Sequence, residues 1–304
     1  MSVHLVVGSN YINQGELLAS KLGAEILGIH RKVFPDGELY VRISKPEKIR
    51  EKVVIVANTL YPRQNDSLIE TLLLIDAVKR NNPSKIILVI PYIAYSRQDK
   101  LFLPGEPISA EVILKTLNHI GGEYLVTIDI HSPQTLESFN GSTENILVSD
   151  ILVEKALKYV ENPIVLAPDK GAIGRAKYAA EKHGLEYDYL VKQRDRITGE
   201  ITMIPKEINV KNRDVIIVDD IISTGGTIAT AAELMLKQGA RKVVLAASHG
   251  LLIGNALDKI KASGAVKLLL ANTLGTKYDD PLIEIVDTTR KIADAIARLI
   301  KQSG

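Results

Sequence analysis

"VIIVDDIISTGGTIATAAELMLKQGARKVVLAASHG", residues 215–250, is the stretch whose reading decides the fold of this chain. Four apolar residues, Val215–Val218, predict a buried strand. Ile228, Ala231, Ala232 and Met235 then recur at helical spacing, and Gly239 stands where a helix would end. A second apolar run, Val243–Ala246, follows. Strand, helix and strand in this order predict a right-handed crossover and a parallel sheet.

One feature of the stretch does not serve packing. Asp219 and Asp220 stand side by side at the end of the expected strand, and the chain then turns through Ser223, Thr224, Gly225, Gly226 and Thr227. A helix cap needs one acid, and two adjacent like charges are a poor way to hold a fold together. The turn lies between a strand and a helix N-terminus, where backbone N–H groups lack intrahelical partners and the dipole favours an anion. Glycines there let the backbone approach a phosphate, and the hydroxyls add donors. The acids fall just past the carboxyl end of the strand, where open α/β sheets bind ligands. Carboxylates at that place suit the hydroxyls of a ribose, or a cation. The stretch is neither a Walker loop, since no Lys follows the second glycine, nor a G-x-G-x-x-G dinucleotide turn.

The same alternation runs through the chain and predicts an α/β protein. Strands are expected at Val3–Val7, Val53–Val56, Ile86–Ile90, Tyr124–Asp129, Ile164–Ala167, Val215–Val218, Val243–Ala246 and Lys267–Ala271. Helices are expected at Ser67–Arg80, Ser109–His119, Gly174–His183 and Thr227–Lys237. "VVIVANTLYPRQNDSLIETLLLIDAVKRNNPSKIILVIPYIAYS" (53–96) parallels the 215–250 stretch and points to two copies of one domain, of which only the second kept the acids and the glycine turn. The boundary is placed between 147 and 148, giving domains 1–147 and 148–304. The final helix, Thr288–Lys301, has both domains as candidate hosts.

The net charge of +2 gives no electrostatic basis for nucleic acid or an anionic membrane as the main partner. With no cysteine, thiolate nucleophiles, disulfides and cysteine-bound zinc are excluded. The N-terminal segment has neither the basic start nor the apolar run of a signal peptide, and no apolar stretch approaches the roughly 18 residues of a membrane span, so a cytoplasmic protein is expected.

Apolar strand, two acids and the hydroxyl-glycine turn resemble the phosphoribosyl-diphosphate loop of type I phosphoribosyltransferases and ribose-phosphate pyrophosphokinases. In that family the acid pair holds the ribose hydroxyls and the turn holds the 5-phosphate. The resemblance therefore assigns Asp219 and Asp220 to the sugar of ribose 5-phosphate, and Ser223, Thr224, Gly225, Gly226 and Thr227 to its phosphate. Further motifs are similar to those of the pyrophosphokinases. "FPDGELYVR" (34–42) implies that Phe34, Asp36, Gly37 and Glu38 contact the adenine of ATP, usually across a subunit boundary. By residues alone, Pro-Asp-Gly is a turn signal. "PYIAYSRQDK" (91–100) implies that Arg97, Gln98, Asp99 and Lys100 bind ATP, and an Arg beyond a strand end can grip phosphate oxygens.

"TIDIHSPQ" (127–134) closes a strand with Asp129 and His131, which by alternation would share a side, and the resemblance makes His131 a ligand of the magnesium on ATP. "LAPDKGAIGRA" (166–176) implies that Asp169 meets the sugar C1 or a second metal, beside the plainer reading of a helix-capping acid. "VKQRDRITGEI" (191–201) reads as a hairpin whose Lys192 and Arg194 match a catalytic K-x-R pair. "ASHG" (247–250) also matches a family segment, with no role for His249.

Taken together, the resemblance implies two phosphoribosyltransferase-like domains, Mg²⁺ as cofactor, ATP and ribose 5-phosphate as substrates, and a homo-oligomer, dimer or hexamer. A base-using phosphoribosyltransferase and a non-catalytic regulatory homologue remain as alternatives. The first has no reason to carry "FPDGE" or "YSRQDK", and intact Lys192, Arg194 and His131 argue against the second.

Overall fold

Aliphatic and β-branched runs form the strands, and the helices between them return the chain so that every pairing in the two main sheets is parallel. The computed structural model describes residues 3–194, 201–204 and 208–301, in backbone only at 192–194 and 201–204. Two units result. The first comprises Met1–Ile146, Thr273–Gly275 and Thr288–Gly304, and the second Leu147–Asn272 and Thr276–Asp287.

In the first unit, strands β1 (Val3–Val7), β2 (Glu25–Leu27), β5 (Val53–Ala57), β6 (Lys85–Val89), β7 (Tyr124–Ile128) and β8 (Ser142–Ile146) form one sheet in the order β2-β1-β5-β6-β7-β8. Between β2 and β5 an antiparallel hairpin stands apart from the sheet, formed by β3 (Ile29–Val33) and β4 (Leu39–Ile43). The helices are α1 (Ile12–Leu22), α2 (Gln64–Lys79) and α3 (Ser109–Ile120). In the second unit, β9 (Pro163–Ala167), β10 (Glu186–Tyr189), β13 (Asp214–Ile222), β14 (Lys242–Gly250), β15 (Lys267–Ala271) and β16 (Ile283–Val286) are ordered β10-β9-β13-β14-β15-β16. A two-stranded ribbon of β11 (Val191–Arg194) and β12 (Ile201–Ile204) accompanies them, with helices α4 (Ser149–Ala156), α5 (Ile173–His183), α6 (Gly226–Lys237) and α7 (Ala256–Ala262). The last helix, α8 (Thr289–Lys301), belongs to the first unit and packs on α1, β7 and β8.

Numbered within its own unit, each main sheet has the order 2-1-3-4-5-6. The strand order reverses beside the first strand, and an open parallel sheet binds its ligands at the carboxyl ends flanking such a switch point. In the second unit that place lies beside β9 and β13. Both strands are apolar and buried along their middles, as a sheet covered on both faces requires.

Two expectations need correction. The strand β13 does not stop at Val218 but runs on to Ile222, pairing Asp219 with Ala247 and Ile221 with His249. The acids therefore sit within the strand's last turn of pleat, held by its ladder, where polarity alone suggested a loop. The strand β7, by contrast, ends at Ile128, and Asp129 has φ 44°. That left-handed residue breaks the alternation that would set Asp129 and His131 on one side: Asp129 is buried and His131 exposed.

The hairpin is moored by a buried carboxylate. Glu70 of α2 is 1% exposed and accepts from the Ser9 N–H at 2.7 Å, the Ser9 hydroxyl at 2.6 Å and Arg31 Nε of β3 at 3.0 Å. A charge this deep is tolerated because donors surround it. Replacing Glu70 with Ala leaves those donors without their acceptor, and we expect a loss of about 2–3 kcal/mol in urea-induced unfolding, the partly exposed Arg31 moderating the effect. A loss under about 0.5 kcal/mol, the scale of an ordinary surface change, would contradict this account.

Candidate active site

The acids of β13 are fixed by short-range and long-range donors together. Asp219 Oδ1 accepts from the Asp220 N–H at 2.9 Å, and Asp220 Oδ1 from the Ile221 N–H at 2.9 Å. Asp220 Oδ2 accepts from Arg175 of α5 at 3.3 Å. Asp220 and Arg175 are both buried, and Asp219 is half-buried. On the neighbouring strand's end, Asp169 accepts from the N–H groups of Gly171 at 2.8 Å and Ala172 at 3.3 Å, capping a single 3₁₀ turn that leads into α5. The plainer reading of Asp169 as a cap is therefore seen, though the cap belongs to this turn and not to α5.

Burial pushes the Asp219 carboxyl well above the usual carboxylate range, and the charges of Asp220 and Asp169 push it further the same way. Asp169 and Asp220 thus both act on Asp219 at the carboxyl ends of β9 and β13. Such a concentration of negative charge suits hydroxyl donors or a cation as its ligand.

Beyond Ile222 the chain turns through Ser223 and Thr224 to Gly225, which has φ 75° and forms the N-cap of α6. The N-cap residue, a glycine, contributes no side-chain cap, and the positive end of the helix dipole lies at this turn, where it favours an anion. The turn is held from behind, with Ser223 O accepting from the Ile253 N–H at 2.9 Å and Thr224 O from Lys259 Nζ at 3.5 Å. A side chain at 225 would strain the positive φ and bring a Cβ to 2.9 Å from Ala256 O, which is why glycine stands there. The structure thus brings together Asp169, Asp219, Asp220 and the turn Ser223–Thr227 at one end of one sheet.

In the first unit, Phe34–Glu38 form the tip of the β3–β4 hairpin: Gly37 N–H donates to Phe34 O at 2.9 Å and Phe34 N–H to Glu38 O at 2.8 Å. Asp36 accepts from the Glu38 N–H at 3.1 Å, and all five residues are exposed. Arg97–Lys100 follow β6, and His131 follows β7, the adjacent strand, so both segments leave the sheet at its carboxyl end. Arg97, Lys100 and His131 are exposed, whereas Gln98 is tied to the start of α3 by Ser109 Oγ, which donates to its Oε1 at 2.5 Å. Lys192 and Arg194 lie on β11, opposite Met203 and Ile201, as the expected hairpin requires. Their side chains, and residues 195–200, lie outside the described part of the chain.

Residues 3–121 match the family model for the N-terminal domain of ribose phosphate pyrophosphokinase, and residues 144–267 match that of the phosphoribosyl transferase domain. A ribose-phosphate pyrophosphokinase of Pyrococcus furiosus is 45% identical, with 90% of this chain aligned to 94% of that one. A ribose-phosphate pyrophosphokinase of Sulfurisphaera tokodaii is 38% identical over 97% of this chain and 100% of its own length. The chain belongs to the ribose-phosphate pyrophosphokinase family. It is an enzyme of that type, and its fold is that of the crystallised phosphoribosylpyrophosphate synthetase from Mycobacterium smegmatis, with a TM-score of 0.89 and 27% identity over 100% of both chains.

For a pyrophosphokinase of this family, the residue that sequence reasoning passed over is Arg175. It falls inside the quoted 166–176 motif, yet only the fold carries it to Asp220, 45 positions away. No spacing rule reports such a pair. The available signals were its place as the arginine of that motif and its position among the alanines of a helix otherwise fit to be buried.

The state of Asp219 has a measurable consequence. A carboxyl with a higher pKa folded than unfolded costs no stability below its ordinary value of 3.8, and costs progressively more as pH rises above it. Asp219→Asn removes that cost. In ligand-free thermal melts we expect the variant to be more stable than the parent at pH 7, with the advantage shrinking as pH falls toward 3.8. An advantage independent of pH would contradict the raised carboxyl.

Proposed function

We propose that this enzyme transfers the pyrophosphoryl group of ATP to the C1 hydroxyl of ribose 5-phosphate in the presence of Mg²⁺, giving 5-phosphoribosyl 1-diphosphate and AMP. The observation that carries this reading is the Asp219–Asp220 pair beside the glycine turn Ser223–Thr227 at the N-terminus of α6. A sugar phosphate presents hydroxyl donors at one end and an anion at the other, and the second unit offers acceptors and N–H donors in that order. Asp219 and Asp220 accept from the ribose hydroxyls, while Ser223, Thr224, Gly225, Gly226 and Thr227 hold the 5-phosphate. Fixing the sugar in this way lowers the entropic part of the barrier.

On the ATP side, Phe34, Asp36, Gly37 and Glu38 receive the adenine, and Arg97, Gln98, Asp99 and Lys100 the remainder of the nucleotide. The full exposure of the hairpin tip favours contact across a subunit boundary in a homo-oligomer. In the reaction the C1 oxygen forms a bond to the β-phosphorus, the bond from that phosphorus to the oxygen bridging to AMP breaks, and the hydroxyl proton leaves. Lys192 and Arg194 offset the negative charge that gathers around the transferred group.

Among the described residues no group of three or more His, Asp or Glu is arranged to enclose a metal ion. Mg²⁺ ordinarily keeps several waters and borrows phosphate oxygens, needing only one or two protein ligands. The exposed His131 fits that demand and would hold the magnesium on ATP, while the half-buried Asp169 would meet the sugar C1 or a second metal. When bound, magnesium supplies neutralisation of phosphate charge. Among the described residues no helix is long and apolar enough to cross a membrane.

Incubation with ATP, Mg²⁺ and ribose 5-phosphate is expected to release AMP, and no AMP above an enzyme-free control would overturn the reading. Lys192→Ala is expected to retain the parent's melting temperature while turnover falls by about two or three orders of magnitude, the scale of one lost charge-stabilising group. Near-parental turnover would remove Lys192 from the chemistry.

A further inference from the structure

We propose that Arg175 is a positioning residue for the sugar: it holds the Asp220 carboxylate where the ribose hydroxyls meet it. The inference rests on the reading of Asp220 as a ribose contact. Its basis is geometric. Arg175 is 9% exposed and Asp220 5%, and the guanidinium reaches Asp220 Oδ2 at 3.3 Å. The other carboxylate oxygen is held by the Ile221 N–H at 2.9 Å. One donor from the strand and one from the helix fix the rotation of a short side chain that has only two bonds about which to turn.

The surroundings argue against packing as the purpose. The buried residues of α5 are Arg175, Ala176, Ala179 and Ala180, so a single guanidinium interrupts an inner face of methyl groups. A buried ion pair is rarely more stabilising than apolar residues of the same volume. Its retention here has a use in placing a carboxylate that a ligand must find already oriented. The alanines let α5 lie close to β9 and β13, on which it packs, and bring the Arg within reach. The helix is itself tied down, with the buried Ser149 donating to Arg175 O at 3.0 Å. The short segment from Asp169 to Arg175 thus delivers both an acid that acts on Asp219 and a cation that grips Asp220.

The test is a double-substitution cycle on the Michaelis constant for ribose 5-phosphate. Arg175→Gln is expected to raise that constant about ten- to a hundredfold, the range expected when a charge-assisted hydrogen bond loses a partner, while the constant for ATP stays within about twofold. Arg175→Lys, which restores one charged donor, is expected to recover part of the loss. Asp220→Asn alone is expected to raise the same constant, and adding Arg175→Gln to it is expected to cost little more, because the carboxylate that Arg175 positions is already gone. The double variant also lacks the uncompensated buried carboxylate, so together with Arg175→Lys it carries the test should Arg175→Gln fail to fold. An additive loss in the double variant, or equal losses for ATP and ribose 5-phosphate, would reduce Arg175 to a structural residue and overturn the inference. Failure of Asp220→Asn to alter ribose 5-phosphate binding would instead overturn the reading of the sugar site on which the inference stands.

Discussion

Two adjacent carboxylates at the end of a buried strand repel each other and lose hydration, and the second unit is arranged around meeting that cost. The ladder of β13 with β14 continues past the acids, so their backbone is fixed before any ligand arrives. The N–H groups of Asp220 and Ile221 each donate to the carboxylate of the preceding residue, and Arg175 supplies a buried positive charge. What is left over shows in Asp219, whose carboxyl is pushed up by burial and by Asp220 and Asp169. Residual frustration of this kind is what a functional site exhibits when stability is traded for readiness to bind.

The first unit shows what the same strand order does without that constraint. Aligning Val53 with Val215, as the repeat does, sets Asn58 opposite Asp220. Counting five residues on from Val3, which pairs with Val53, and from Ile164, which pairs with Val215, sets Gly8 opposite Asp169. Here Asn58 is fully buried and donates to Thr71 at 3.0 Å. A Cβ on Gly8 would fall 2.2 Å from Asn58 Cγ, so strand end and side chain close against each other. The position that holds an acid cluster in one copy is filled by neutral packing in the other. The buried carboxylate of this unit, Glu70, has moved to a helix, where it anchors the hairpin that presents Phe34–Glu38. One architecture therefore gathers acids at its strand ends in one copy and holds one in a structural tether in the other.

How much of this could be read from the residues depends on the range of the forces involved. The strand centres and the longer helices, though not the short α4 and α7, were legible because burial imposes a period on the chain: Val3–Val7 and Lys267–Ala271 fall where periodicity places them. The edge strands β2, β8 and β16 were not, since an edge is solvated and "STENI" at 142–146 carries little apolar signal. The strand β13 overran its expected end because polarity suggested a loop where pairing with His249 and Gly250 continued a strand. The candidate sugar site was legible because its acids and glycines are contiguous. Arg175 and Glu70 were not, because each acts on residues far along the chain: Asp220, 45 positions away, and Ser9, 61 positions away.

The final helix extends the same point about range to the whole first unit. Its Ile292, Ala293, Ala295 and Ile296 are buried, and it packs on α1, β7 and β8, with Arg298 paired to Glu144. Thr59, next to the Asn58 that fills the first strand-end site, donates to Thr273 O at 2.8 Å, a bond spanning 214 positions. Gly275 follows in the same returning segment, where a Cβ would meet Asn10 O at 2.1 Å. The first unit thus takes part of its covering from residues made only after most of the second unit, at 273–275, or after all of it, in the last helix. Contacts of such sequence separation are closed late, since the loop entropy must be met before they contribute. The segment that presents Phe34–Glu38, Arg97–Lys100 and His131 is therefore not an independent module to which a second was appended. Its core is complete only when the chain bearing Asp219 and Asp220 has already been made.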